Sequence, residues 1–175
     1  MSRILCVASA AAVLLAAAPA VAHVELQDDK APAGSSYKAV LMVPHGCAGA
    51  ATVGLRVQIP DGVIAAKPMP KPGWKIAIKT GPLNPPVESE GMKITETVKE
   101  IDWTGGNLPD SYYDEFAFVA TLPDKPGTTV YFPAIQVCAK GETRWIEVPA
   151  QGQSAEDLKR PAPSLTLGPK QAGGD

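Results

Sequence analysis

The chain has 175 residues, 16 Lys+Arg against 18 Asp+Glu, 18 prolines and 16 glycines. So near-neutral a charge gives no electrostatic footprint for nucleic acid or an anionic membrane. So many helix breakers exclude a helical bundle and favour short strands joined by turns.

The first element is a targeting segment. Arg3 precedes an apolar run from Ile4 to Ala18, and the stretch closes on Ala20-Val21-Ala22. A cation, a short apolar core and an A-x-A ending predict a secretory signal peptide over residues 1–22. The run is shorter than the roughly 20 residues that a spanning helix needs. Cleavage after Ala22 leaves 153 residues, enough for one domain with its own core, and takes Arg3 with it for a net charge of −3. No second stretch approaches membrane length, so the processed protein is expected to be soluble, without a membrane span. Cys6 leaves with the leader. Cys47 and Cys138 remain. An even count in an exported chain predicts a disulfide, with a pair of thiolate metal ligands as the competing reading.

His23 to Asp29 reads as a short strand, broken at Ala31-Pro32-Ala33-Gly34. Tyr37 to His45 is apolar on both faces and is expected near the centre of a sheet. Thr52 to Pro60 has the cleanest period of two, with Val53, Leu55, Val57 and Ile59 on one side. Pro60-Asp61-Gly62 turns. The proline-rich stretch from Ala66 to Gly73 is expected to cross between sheets. Trp74, Ile76 and Ile78 predict another buried face, 81–91 a proline-rich loop, and Ile94 to Trp103 a strand that ends before Gly105-Gly106. Asp114 to Leu122 sends Phe116, Phe118, Ala120 and Leu122 inward. Thr128 to Cys138 is a strand interrupted at Pro133, an edge or a bulge. A hairpin turn at Lys140-Gly141-Glu142 leads to Thr143 to Val148. Ser154 to Arg160 forms one or two helical turns, Ser164 to Leu167 a last short strand, and 168–175 a disordered tail. Seven to nine strands with turns between them predict an all-β, two-sheet antiparallel sandwich over residues 23–167, cupredoxin- or immunoglobulin-like.

Chemistry has few carriers here. The chain has two histidines, His23 and His45. Nucleophile-elbow, Walker and dinucleotide glycine patterns are absent. Zinc clusters need more His and Cys than remain once the cysteines pair. Cleavage after Ala22, however, makes His23 the first residue. Its free α-amine and its imidazole Nδ1 can then close a chelate on one metal ion. Cu(II) suits that nitrogen pair best. His45 comes within reach if the first strand, His23 to Asp29, pairs antiparallel with the second, Tyr37 to His45; its plainer reading is a loop histidine near the cysteines. A carboxylate would help to retain Cu(II). Glu115, a charge opening an otherwise apolar strand, is the strongest candidate, and Glu25 looks too close in sequence to bend back. Trp145 sits among polar residues and suits an indole that shields an ion, or an ordinary core tryptophan.

His23-Val24, Val43-Pro44-His45-Gly46-Cys47, Val57-Gln58-Ile59-Pro60-Asp61-Gly62-Val63, Lys71-Pro72-Gly73-Trp74, Tyr113-Asp114-Glu115-Phe116-Ala117-Phe118 and Arg144-Trp145-Ile146-Glu147 together resemble the YcnI-like family of exported copper-binding domains. The resemblance runs from about His23 to Pro149. It implies a cupredoxin-like sandwich that grips Cu(II) through the terminal amine and imidazole of one histidine, a monohistidine brace, with glutamate ligation and a tryptophan close by. By position His23 is the brace and Trp145 the neighbouring indole; Glu115 is the assigned glutamate. The chain is expected to depart from better-known members in lacking a C-terminal transmembrane helix and in carrying Cys47 and Cys138. Both suit a soluble periplasmic protein. The expected function is a copper chaperone or buffer, not an enzyme, that exchanges copper with other periplasmic copper-handling proteins. The rivals are a histidine-brace oxidative enzyme, which needs His45 as a second ligand, and a metal-free envelope or adhesin module.

Overall fold

The computed structural model describes residues 23–89 and 91–171; the expected leader and the last residues of the expected tail lie outside them. In chain order the strands are β1 (Glu25–Leu26), β2 (Lys30–Pro32), β3 (Ser36–Val43), β4 (Thr52–Gln58), β5 (Ile64–Pro68) and β6 (Lys75–Ser89). They continue with β7 (Met92–Leu108), β8 (Asp114–Thr121), β9 (Thr129–Tyr131), β10 (Ala134–Cys138), β11 (Glu142–Trp145) and β12 (Ser164–Gly168). Among the described residues one 3₁₀ turn, Ala155–Asp157, is capped by the Ser154 side chain. The fold is all-β, as the turn-rich composition requires.

Two main sheets form the sandwich, one ordered β1-β3-β8-β5 and the other β11-β10-β4-β7-β6. All pairings within them are antiparallel. A third, small sheet ordered β2-β12-β9 adds a parallel pair, β2 with β12. The two-sheet expectation did not include it. Alternation builds the core between the main sheets. Leu55, Val57 and Ile59 are buried from one sheet, Leu41, Val43, Phe116 and Phe118 from the other. Phe116 lies edge-on to both Trp74 and Trp103, at centroid distances of 4.8 and 5.7 Å. The Cys47–Cys138 disulfide is formed, with Cα atoms 6.0 Å apart. It ties the loop after β3 to the end of β10, and so links the two main sheets.

Several expectations about strand limits are corrected. The proline-rich 81–91 segment is largely strand. β6 runs from Lys75 to Ser89 and slips register between Pro82 and Val87. The prolines are tolerated because β6 is an edge strand, where missing N–H groups leave no neighbour unpaired. β7 likewise continues through Gly105 and Gly106 to Leu108. Gly106 is required there, because a Cβ would meet the Trp74 indole at 2.1 Å. Ile78 is exposed rather than buried, and Trp74 and Ile76 are half-buried, since the hairpin outruns the sheet that would cover it. Pro133 marks neither an edge nor a bulge. It lies where the chain leaves β9 in the small sheet and enters β10, an interior strand of the five-stranded one.

Candidate metal centre

His23 stands just ahead of β1. Val24 is buried and anchors this end to the core, while the extended backbone sends the side chains of residues two apart to the same side. His23 and Glu25 therefore meet: Nδ1 lies 3.8 Å from the Glu25 Oε1. Chain proximity, which argued against Glu25, is what brings it there. Strand β1 pairs antiparallel with β3, Glu25 opposite Met42 and Leu26 opposite Leu41. The first residues of the domain thus lie beside the end of β3, as the antiparallel pairing weighed for His45 requires.

The other flank of His23 is aromatic. Its ring is 5.4 Å from the Trp145 indole, tilted by 59°. Trp145 closes β11 and is buried as part of the core. Its Nε1 donates to Gln136 Oε1 at 3.1 Å. Gln136, fully buried in β10, donates from Nε2 to the His45 carbonyl at 2.6 Å and to Thr52 Oγ1 at 2.7 Å. An indole N–H can only donate and a carbonyl can only accept, so the amide has one orientation. This network fixes the indole against which the imidazole rests.

Gln136 was not singled out from sequence. The signal was present: in Ala134-Ile135-Gln136-Val137-Cys138 the amide alternates with Ala134 and Cys138, both buried. A polar side chain at an inward position of an apolar strand must have partners inside.

His45 lies in the loop after β3. Its Nδ1 contacts the Gly46 carbonyl oxygen at 2.5 Å, the tautomer with hydrogen on Nδ1 being the donor. The Gly46 N–H donates to Asp110 Oδ1 at 2.9 Å, and a Cβ on Gly46 would strike the Ala50 carbonyl oxygen at 1.9 Å. The loop is thereby held at Gly46, and Gln136 holds the His45 carbonyl itself.

Glu115, the second residue of β8, lies opposite Met42. Since Met42 also faces Glu25, the three form one row across the sheet: Glu25, Met42, Glu115. Two strand spacings of about 4.8 Å put Glu115 roughly 10 Å from Glu25, backbone to backbone. The Glu115 carboxylate accepts a hydrogen bond from the Tyr113 hydroxyl. That bond, more than partial burial or the nearby carboxylates, pushes the Tyr113 phenol up to about 12. Lys71 holds the strand end from below, donating to Asp114 Oδ1 at 2.6 Å and to the Glu115 carbonyl at 2.9 Å.

Beside His23 opens a cleft of about 350 Å³ with Glu25, Asp29 and Glu156 in its lining, together with Tyr131, Pro149 and Pro161. Its carboxylates favour a cation over an anion at this end of the molecule. Among the described residues, no group of three or more His, Cys, Asp or Glu side chains is placed to hold a metal ion. The centre thus offers an imidazole and a carboxylate in contact, an indole behind them, and room for the ion only if another donor completes the set.

A family model described as a domain of unknown function, DUF1775, matches residues 23–167. The chain belongs to the DUF1775 family. This is the YcnI-like family of the sequence resemblance. Among solved structures, an uncharacterized protein from Nocardia farcinica, described as having an immunoglobulin-like fold, is 27% identical with a TM-score of 0.62. That alignment covers 83% of this chain and 98% of the Nocardia chain. No curated protein matches. For this DUF1775 domain, then, the sandwich and its disulfide stand, and the family match on this chain starts at His23.

Proposed function

We propose that this DUF1775 domain is an exported, periplasmic Cu(II)-binding protein, a chaperone or buffer in copper homeostasis. The ion is its cargo and is held through the α-amine and Nδ1 of His23 once the leader is cleaved after Ala22. The observation that carries this reading is the His23 environment. The nitrogen needed for the chelate is the one facing Glu25 at 3.8 Å. Two metal–ligand bonds of about 2 Å each span such a gap with little movement. The main-chain amine adds the donor that the side chains do not supply. Trp145, oriented by Gln136, closes one side with an apolar wall. Glu25 touches the imidazole, Asp29 and Glu156 share its cleft, and Glu115 lies farther along the same outward row as Glu25.

Binding and release is the favoured activity over oxidative catalysis. The second imidazole belongs to a loop held at Gly46 by Asp110, and its Nδ1 faces the Gly46 carbonyl. The test is competition with a Cu(II) chelator, using protein that begins at His23 and protein with one residue ahead of it. Loss of most of the affinity in the extended form is expected; equal affinity in both forms refutes the reading.

A further inference from the structure

The row Glu25–Met42–Glu115 places a thioether beside Glu25, the carboxylate in contact with His23, and between it and Glu115. Met42 is the half-buried residue on the outward side of β3, between the buried Leu41 and Val43. It is the direct cross-strand neighbour of Glu25 and a diagonal neighbour of His23, since β1 continues back from Glu25 toward its start. Diagonal positions lie about 7–8 Å apart, within reach of a long unbranched side chain. Thioether sulfur is a soft donor that selects Cu(I), whereas carboxylates suit harder ions. Three rotatable bonds let a methionine swing onto an ion or away from it at little cost.

We propose that Met42 is a thioether ligand for monovalent copper at the His23 centre, so that the site accepts Cu(I) through imidazole and sulfur as well as Cu(II) through imidazole, amine and carboxylate. The inference rests on the reading of His23 as the copper residue, and adds to it which oxidation states the site can carry. No electron transfer within the protein is involved: each ion is taken up in the state in which it is offered.

The test uses the processed protein, wild type and Met42→Leu, a swap close in volume at a half-buried position. Cu(I) is supplied anaerobically with ascorbate, which leaves the disulfide intact, against a chromophoric Cu(I) chelator, and Ag(I) serves as a redox-inert check. X-ray absorption at the copper edge identifies sulfur donors. Wild type is expected to bind one Cu(I) with a sulfur neighbour. Met42→Leu is expected to lose that sulfur signal and to bind Cu(I) and Ag(I) about tenfold more weakly or worse, the lower end of what losing a partner costs a metal site. Its Cu(II) affinity should stay within about twofold, well under the 1.4 kcal/mol that a factor of ten represents. An unchanged Cu(I) affinity, a sulfur signal that survives the substitution, or no Cu(I) binding by wild type overturns the proposal. Failure of the Cu(II) reading is seen separately, as Cu(II) binding that ignores an added residue before His23.

Discussion

Gln136 offers the sharpest test of how the centre is built. Replacing it by Leu keeps the volume of the buried side chain and removes three hydrogen bonds, to Trp145, Thr52 and the His45 carbonyl. Each group left without a partner costs about 1–3 kcal/mol, less where it finds water. The His45 carbonyl is only partly buried, so a total of about 3–5 kcal/mol is expected. For a domain of this size, that lowers the melting temperature by roughly 10 °C or more. The assay is urea unfolding followed by far-UV circular dichroism, which reports the whole sandwich. Trp145→Phe supplies the second arm, because it removes the indole donor that Gln136 satisfies. In the double variant the Trp145 penalty is not incurred twice, so the two effects should fall short of additivity by about 1 kcal/mol or more. A Gln136→Leu protein as stable as wild type, or strictly additive effects, would show that the amide does not hold the indole.

Four further outcomes follow from the same geometry. Cu(II) should quench the tryptophan emission of the processed protein, and Trp145→Phe should abolish most of that quenching, because Trp145 is the indole in contact with His23; fluorescence titration decides it. Reducing Cys47–Cys138 opens a loop whose ends are 91 residues apart in sequence. On the chain-entropy view this costs about 4–5 kcal/mol, read as a fall in the urea midpoint of Cys47→Ser, Cys138→Ser protein. Gly106→Ala should destabilise markedly, since the added methyl meets Trp74 at 2.1 Å, and near-UV circular dichroism should report the displaced indole. Tyr37 donates its hydroxyl to the Asp28 carbonyl at 2.6 Å, and burial, with Asp28 and Asp29 nearby, pushes its phenol from 10.0 to about 12. Its raised value means that its contribution is fully present below pH 10 and is lost as pH rises toward 12. Tyr37→Phe should therefore flatten the fall in stability across that window, measured by chemical unfolding at successive pH values.

Much of the fold was legible because period and turn chemistry agree in most strands. Leu55, Val57 and Ile59 alternate inward as written, and so do Phe116, Phe118, Ala120 and Leu122; Val53 is only half-buried and Thr52 buried instead, because the register shifts between Thr52 and Gly54. The disulfide followed from an even count of two cysteines behind an expected leader. The β6–β7 hairpin was not legible. Prolines and paired glycines ordinarily end strands, and only the edge position of β6 and the indole lying on Gly106 explain why they do not here. Burial of Ile78 failed for a related reason: alternation identifies a side of a strand, but the strand must also have a sheet opposite it.

At the candidate centre, His23 and Trp145 were legible as candidates, and the structure brings them together at 5.4 Å. Glu25 was set aside on sequence distance, an argument that holds for side chains curling back on their own backbone. In extended backbone, residues two apart already share a side, and no curl is needed. Glu115 and Met42 could be placed in one row with Glu25 only once the strand registers were known. The Gln136 network depends on three separate elements meeting, and sequence gives only its polar member.

Electron paramagnetic resonance of the processed protein loaded with one equivalent of Cu(II) tests the central claim most directly. The account predicts coupling to two nitrogen donors, the amine and Nδ1 of His23, and loss of that pattern when a residue precedes His23. A spectrum that is identical in the two forms would contradict it.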